Sequence, residues 1–230
     1  MAKLLYIDTA GENAMIGISN DRQLLALKHN TQANTHASFV QVAIDDLLAK
    51  TDIQIGEIDA VVVTMGPGSY TGLRVGLSSA KGIAYAIDKP LIGISTLELL
   101  AQHASTHPAV IENKENIQIF SMIDAKRMEV FGAIYKSDNT KIIPEQSILL
   151  DEPYFTKLIE NGPVLCVGNG ATKSKTLLIN PQLYFLESTY DIDALIHLGN
   201  LKWVNQDFED LAYCKPAYLK DFYQIPKTKV

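Results

Sequence analysis

The feature that most restricts the fold of this chain is a short internal repeat. Ile7-Asp8 and Ile123-Asp124 each end an apolar segment and begin a turn, and the two copies lie 116 residues apart. At the same offset three further apolar positions correspond: Ala14 with Val130, Met15 with Phe131 and Ile18 with Ile134. Because this offset is about half of the 230 residues, we predict two lobes of one duplicated design, each with an acid-tipped hairpin.

The order of the predicted elements indicates the architecture of those lobes. Apolar runs predict three strands at 4–7, 14–19 and 23–28. A helix at 36–49 follows, with Asn34 or Thr35 as its cap, and then two strand–helix units and a second strand–turn–strand at 117–135. This order favours an α/β class with mixed sheets flanked by helices. Two such lobes around a cleft predict the actin-like ATPase (ASKHA, RNase H-like) fold.

The lobe boundary is expected in a polar stretch after the third helix. Residues 103–116 are mostly polar and contain Pro108, which is typical of a linker. We therefore predict an N-terminal lobe at 1–103 and a smaller C-terminal lobe at 104–214. The tail at 215–230 is rich in aromatic residues and is expected to pack back on the first lobe.

Composition excludes several classes of function. Apolar residues make up 47% and charged residues 20%, which is typical of a globular chain. The net charge of −6 disfavours independent nucleic-acid binding, although a local basic patch remains open. Two widely separated cysteines do not support a disulfide scaffold. The first apolar run is too short for a signal peptide and no run approaches 18 residues, so we expect a cytoplasmic protein without a membrane partner.

The two hairpins suggest nucleotide chemistry that has been lost. Asp8 begins a small turn that could bring backbone N–H groups to a phosphate, while its carboxylate holds a metal through water; the alternative is a plain β-turn. In the second copy, Arg127 stands in place of Gly11 and would block that approach. We predict only vestigial nucleotide contacts, at Asp8, Thr9, Gly68, Asp124, Gly168 and Gly170.

A glycine-rich loop at 66–72 does not match the known phosphate-binding patterns. It lacks the lysine of GxxxxGK[ST], and its spacing is GxGxxxG rather than GxGxxG. The helix behind it carries small residues at every fourth position: Gly72, Gly76, Ala80 and Ala84. Such a stripe lets another backbone approach closely, so it packs either on the chain's own sheet or on a partner helix.

Metal and catalytic sites are not supported by spacing. His103 and His107 have a zinc-like separation, but Pro108 follows at once and no third ligand is near. No Ser-His-Asp or Cys-His arrangement can be assembled, so we predict neither a catalytic residue nor a metal site. The weak acid–base candidates are Asp8 and Asp124 facing each other.

The segment GPGSYTGLRVGLSSAKG, from Gly66 to Gly82, resembles the bacterial TsaB (YeaZ) family. Further matches occur in family order at 7–9, 90–98, 123–130 and 168–171. The resemblance implies a two-lobe actin-like fold and a role in forming N6-threonylcarbamoyladenosine beside the anticodon of tRNA. Ala10 departs from the family, which more often has a hydroxyl residue there.

The resemblance also implies partners. It implies a non-catalytic subunit that pairs with the related catalytic subunit TsaD, on which the P-loop ATPase TsaE docks. It implies that tRNA is met indirectly and that the chain can self-associate. The two cations of the second turn, Lys126 and Arg127, could add a local contact with the tRNA. No cofactor is expected in the isolated chain, but ATP or ADP could bind at the subunit boundary.

The pairing helices implied by the resemblance are 35–49 and 71–87. The interface residues expected on them are His36, Phe39, Val40, Ala43, Gly72, Arg74, Val75, Gly76, Ser79, Ala80 and Ile83. The metal-binding histidines of TsaD correspond here to Thr96 and Leu100, and leucine cannot ligate a metal. The rival hypotheses are a stand-alone actin-like ATPase or small-molecule kinase, and an RNase H-like nuclease, which would need three or four clustered carboxylates.

Overall fold

The computed structural model describes residues 1–31, 35–187 and 189–220, which form two five-stranded sheets. The first sheet has the order β3-β2-β1-β4-β5, with antiparallel pairing among β1, β2 and β3 and parallel pairing of β1, β4 and β5. Its strands are β1 (Lys3–Asp8), β2 (Ala14–Asn20), β3 (Gln23–Asn30), β4 (Ala60–Gly66) and β5 (Leu91–Ser95).

The second sheet repeats this topology strand for strand. Its order is β10-β9-β6-β7-β8, antiparallel from β6 through β8 and parallel from β6 through β9 to β10. Its strands are β6 (Gln118–Asp124), β7 (Glu129–Lys136), β8 (Lys141–Leu149), β9 (Val164–Val167) and β10 (Leu183–Leu186). The predicted duplication and the mixed α/β class are therefore confirmed.

Seven helices lie in the described part of the chain, and most pack on the sheets. They are α1 (His36–Thr51), α2 (Tyr70–Ala86), α3 (Thr96–Ala104), α4 (Pro108–Glu112), α5 (Glu152–Ile159), α6 (Ala171–Ser174) and α7 (Ile192–Val204). On one face of the first sheet, apolar residues of α1 and α2 share a core with Ile7, Ile16 and Val63. No helix of the described residues has the length and apolar content that crossing a membrane requires.

The second lobe differs from the predicted range of 104–214 at its C-terminal end. The second sheet ends with Leu186, and α7 packs on the other face of the first sheet, where Leu195 and Leu198 join a core with Tyr6 and Val62. The contact is close, since a Cβ on Gly199 would lie 2.8 Å from the Tyr6 ring. This helix covers apolar side chains of β1, β4 and β5 that α1 and α2 leave on the opposite face.

The expected linker at 103–116 is partly helical. Pro108 occupies the first turn of α4, where a missing N–H costs nothing, and the Nδ1 atom of His107 accepts a hydrogen bond from the Ala109 amide at 3.2 Å. Ala109 and Val110 are buried, so they anchor this turn to the core between the lobes. At the start of α1, Thr35 is the N-cap residue, and Asn34 lies outside the described residues.

The segment after α7 passes back along the first lobe. The Glu209 amide donates to the Leu91 carbonyl and the Ala217 amide to the Met65 carbonyl, both at 2.8 Å. On α2, Arg74 Nε donates to the Tyr218 hydroxyl at 3.0 Å. Part of the expected tail, 215–220, thus contacts β4 and α2, and 221–230 lies outside the described residues.

Candidate functional site

The turns of the two repeated hairpins face each other across a cleft of about 430 Å³. The first lobe contributes Ala10, Gly11, Glu12, His36, Gly68, Ser69 and the start of α2, and the second contributes Ile123, Asp124, Lys126, Phe131 and Asn169. The cleft therefore collects residues from both hairpins, the glycine-rich loop and α1, together with Asn169, so its lining spans positions 10 to 169 of the sequence.

The first hairpin carboxylate is buried and fully occupied by the chain's own donors. Asp8 is 2% exposed, and its Oδ1 accepts hydrogen bonds from the Thr64 hydroxyl at 2.6 Å and the Ala10 amide at 3.0 Å. Its Oδ2 accepts one from the Tyr190 hydroxyl at 2.9 Å. Burial raises the pKa of Asp8, and burial together with the facing carboxylate raises the pKa of Tyr190, which stays a donor.

Replacing Asp8 with asparagine is expected to make stability less dependent on pH. The pKa of Asp8 is raised on folding, so the unfolded chain loses this proton first as the pH rises above about 4. The stabilising contribution of the protonated Asp8 carboxyl is thus fully present below that pH and is lost as the pH rises toward the folded pKa. Urea unfolding of the two proteins from pH 3 to 8 should show wild type losing stability relative to Asp8→Asn across that window.

The control for this prediction is Asp8→Ala. It removes the acceptor of Thr64 and Tyr190 at every pH, so it should destabilise the protein without the pH trend. A constant difference between wild type and Asp8→Asn, or a wild type that gains relative stability with rising pH, would contradict the raised pKa of Asp8.

The second hairpin carboxylate is paired within its own lobe. Asp124 forms an ion pair with Lys173 of α6, and its Oδ1 accepts a hydrogen bond from the Lys126 amide at 2.6 Å. Partial burial by itself would raise the pKa of Asp124, but the Lys173 ammonium and the Lys126 amide together lower it. The Asp124 amide in turn donates to Asn169 Oδ1 at 2.8 Å. The carboxylate is therefore ionised and already balanced by a cation.

The tip of the second hairpin has an unfavourable backbone conformation. Lys126 and Arg127 have φ values of 69° and 52°, in the left-handed region that favours glycine and asparagine. For long side chains this costs roughly 1–2 kcal/mol per residue. Both side chains are exposed. The turn thus presents two exposed cations, of which Lys126 borders the cleft, in a conformation that other residues would adopt more easily.

The glycines predicted to contact nucleotide are required by internal packing. A Cβ on Gly68 would lie 2.4 Å from the Ala10 carbonyl oxygen, because the glycine-rich loop packs on the first hairpin turn. A Cβ on Gly168, which has a φ of 103°, would lie 2.3 Å from the Met122 carbonyl oxygen. A Cβ on Gly170 would lie 2.8 Å from Val130 Cγ1 and 2.9 Å from Met122 Cβ. Close approach between parts of this chain accounts for all three.

The small-residue stripe of α2 faces the first hairpin, which corrects its assignment to a partner. A Cβ on Gly72 would lie 2.1 Å from the Thr9 carbonyl oxygen, and one on Gly76 would lie 2.2 Å from Thr9 Oγ1. Thr9 Oγ1 donates to the Gly72 carbonyl at 2.7 Å, and Ala80 and Ala84 are fully buried. Of the two alternatives, the structure has the stripe packed on the chain's own β1 and its turn.

Other expected interface residues are also buried in this chain. Val40 and Ala43 lie in the core under α1, and His36 is 9% exposed with its Nε2 at 3.2 Å from the Gly11 carbonyl oxygen. They cannot touch a partner without movement of α1. The expected residues that keep some exposed surface are Phe39, Arg74, Val75, Ser79 and Ile83.

The outward face of α1 and α2 includes positions that sequence reasoning missed. The two helices are linked by a hydrogen bond from Gln41 Nε2 to Ser79 Oγ at 3.2 Å. Val42 is 59% exposed, and a Cβ on Gly82 would meet nothing within 4 Å. A groove of about 410 Å³ lies beside Gln41 and Ile83. In each helix, the positions that do not belong to the apolar pattern point away from the core, and these positions were the sequence signal for this outward face.

Among the described residues, no three His, Cys, Asp or Glu side chains are grouped as a metal site requires. His103 lies 3.5 Å from Asp191, and His107 caps α4. Two carboxylates line the cleft, Asp124, which is paired with Lys173, and Glu12, which is exposed. Asp8 is buried and is not among the lining residues.

The chain matches a known family over most of its length. The family model described as "TsaD: tRNA N6-adenosine threonylcarbamoyltransferase" matches residues 25–171. The tRNA threonylcarbamoyladenosine biosynthesis protein TsaB of Bacillus subtilis is 26% identical over 76% of this chain and 74% of its own length. TsaB of Escherichia coli is 31% identical over 61% of this chain, and TsaB of Haemophilus influenzae 32% over 56%. These last two matches span only 58% and 51% of the relatives' own lengths.

Solved structures agree with the duplicated two-lobe fold. YeaZ from Pseudomonas aeruginosa superimposes with a TM-score of 0.78 at 21% identity, covering 95% of this chain and 100% of that one. An inorganic polyphosphate/ATP-glucomannokinase from Arthrobacter has a TM-score of 0.52 at 12% identity, covering 90% and 100%, which shows only that the actin-like fold is shared. From its matched segment and its sequence relatives, the chain belongs to the TsaB (YeaZ) family.

Proposed function

We propose that this chain acts in tRNA threonylcarbamoyladenosine biosynthesis as a non-catalytic subunit that pairs with a TsaD-like transferase. The pathway rests on the names of the sequence relatives. The non-catalytic role rests on one observation, that both hairpin carboxylates are held by the chain itself. Asp8 is bound by Thr64, Ala10 and Tyr190, and Asp124 by Lys173 and Lys126.

The occupied carboxylates argue against phosphoryl transfer in the isolated chain. In actin-like ATPases and kinases a cleft carboxylate must reach a metal ion that neutralises the phosphates. Here a metal at Asp8 would have to displace the buried hydroxyls of Thr64 and Tyr190, and one at Asp124 would have to displace the Lys173 ammonium. Any ATP or ADP that the complex binds is proposed to lie at the boundary with the partner subunit.

Pairing is assigned to the outward face of α1 and α2. The face includes Gln41 and Ser79, which join the two helices by a hydrogen bond, and Ile83 beside the same groove, while the stripe behind it anchors α2 to β1. Because α1 and α2 are held firmly against the sheet, they lose little conformational entropy on binding, which favours docking against a similar helix pair of a partner. The same face would support a homodimer, and a TsaE-like P-loop ATPase would dock on the pair. With a net charge of −6, this chain leaves most of the tRNA surface to its partners.

Deletion of the gene is expected to remove N6-threonylcarbamoyladenosine from tRNA, measured by mass spectrometry of digested tRNA. Wild type and Asp8→Asn should both restore the nucleoside, because the Asp8 carboxylate has no chemical role in this proposal. The purified chain should also show no ATP hydrolysis. Turnover of about 1 per second that Asp8→Asn abolishes would favour the stand-alone ATPase or kinase instead.

A further inference from the structure

We propose that the tip of the β6–β7 hairpin, Lys126 and Arg127, binds the phosphate backbone of a folded RNA. The proposal rests on the proposed function, in which that RNA is the tRNA held by the complex. It adds a direct contact by this subunit and names the two side chains that make it.

The local charge at the tip is opposite to that of the whole chain. Four cations lie at or beside the turn, against two carboxylates, in a chain with a net charge of −6. Both carboxylates are already paired, Asp124 with Lys173 and Glu129 with Lys220. Neither Lys126 nor Arg127 forms an ion pair with another residue of the described ranges. Their two positive charges are therefore available to an outside anion.

The backbone of the tip indicates that these side chains are kept for their charge. Two consecutive residues with positive φ would be better supplied by asparagine and glycine, which adopt that conformation most readily. A lysine and an arginine stand there instead, exposed and without a packing role that would offset the strain. Backbone strain that no local interaction offsets is found most often at functional sites, where the side chain is needed to contact a ligand or partner.

The position of the tip suits an extended polyanion. Lys126 borders the cleft between the lobes together with Asn169, and Arg127 is exposed next to it in the turn without lining the cleft. Two separate cations on one exposed turn can each contact a different phosphate, which is how phosphate-backbone binding accumulates affinity. An acidic surface on a protein partner would satisfy the same charges, and the experiment separates it from RNA.

The test uses the complex with the TsaD-like subunit and an unmodified tRNA transcript. Affinity is measured at salt concentrations from about 0.05 to about 0.5 M, where the release of counterions from the RNA dominates the salt dependence of binding. The variant is K126N/R127G, which removes both charges and relieves the backbone. Its log–log salt slope should be shallower by about 1.8, and its affinity at 0.1 M salt up to about 60-fold weaker, for two lost phosphate contacts. Its melting temperature should equal or exceed that of wild type.

A matched control removes two other exposed cations from the same lobe. Lys136 lies at the far end of β7, about 24 Å along the strand from Glu129 at 3.4 Å per residue, and Lys157 lies on α5. K136Q/K157Q changes the net charge equally and should keep the wild-type slope. An equal loss of slope in both variants would show that only overall charge matters, and no loss in K126N/R127G would overturn the proposal.

Pairing with the TsaD-like subunit is measured in parallel by size-exclusion chromatography. Loss of pairing in K126N/R127G would assign the tip to a protein contact and overturn the RNA proposal. If wild type itself does not pair, the proposed function fails, and the same salt series on the isolated chain then tests the tip alone. An unchanged slope between wild type and variant in that series would reject it.

Discussion

Replacing Gly76 with alanine is expected to lower the free energy of unfolding by about 3 kcal/mol. The added methyl group would lie 2.2 Å from Thr9 Oγ1, far inside van der Waals contact. Thr9 is 1% exposed and its hydroxyl donates to the Gly72 carbonyl at 2.7 Å, so it cannot rotate away without losing that bond. Urea unfolding of the purified protein measures the change.

Gly82 provides a matched control on the same helix. A methyl group there meets nothing within 4 Å, and the position is exposed. Gly82→Ala should therefore stabilise the protein by up to about 1 kcal/mol, because alanine loses less backbone entropy than glycine in a helix. A Gly76→Ala protein as stable as wild type would show that the stripe does not face the first hairpin.

Replacing Gly82 with arginine is expected to weaken pairing with the TsaD-like subunit at least 100-fold, with little change in melting temperature. The side chain has open space in the isolated fold, so folding should tolerate it. In a helix–helix contact the same guanidinium would be buried without a counter-charge, which costs several kcal/mol. Titration by isothermal calorimetry and thermal unfolding of the variant measure the two effects separately.

Thr156→Arg is the control for that substitution. Thr156 is exposed on α5 of the second lobe, so this arginine adds the same charge away from the assigned pairing face. It should leave the affinity unchanged. Equal losses in the two variants would point to a charge effect, and normal pairing by Gly82→Arg would place the interface elsewhere.

The elements predicted most accurately are those with a local signal. The hairpin strands are short, nearly continuous apolar runs that end in acid-tipped turns, and both hairpins appear with matching topology in the two sheets. β8 (Lys141–Leu149) was not predicted, because it is an edge strand with Pro144 and weak alternation. α7 (Ile192–Val204) was not predicted either, and its packing on the first sheet depends on tertiary contacts that a local pattern does not specify.

The candidate site shows the same division between local and distant signals. The sequence shows that Asp8 and Asp124 each begin a turn, but it does not show which residues bind their carboxylates. Tyr190 lies 182 positions from Asp8, Thr64 lies 56 positions from it, and Lys173 lies 49 positions from Asp124. Sequence spacing does not encode such contacts, because they form only when separate strands and helices pack.

Local patterns in the chain were enough to predict the duplicated two-lobe design, the family and the need for small residues along one face of α2. Periodicity, turn residues and glycine spacing are properties of neighbouring positions, so they can be read before the chain folds. The tertiary structure alone decided that the α2 stripe packs on Thr9, that both hairpin carboxylates are occupied, and that α7 covers the first sheet. Each of these features depends on which distant segments pack against each other. That packing is the arrangement that best buries apolar side chains and satisfies polar groups over the whole chain.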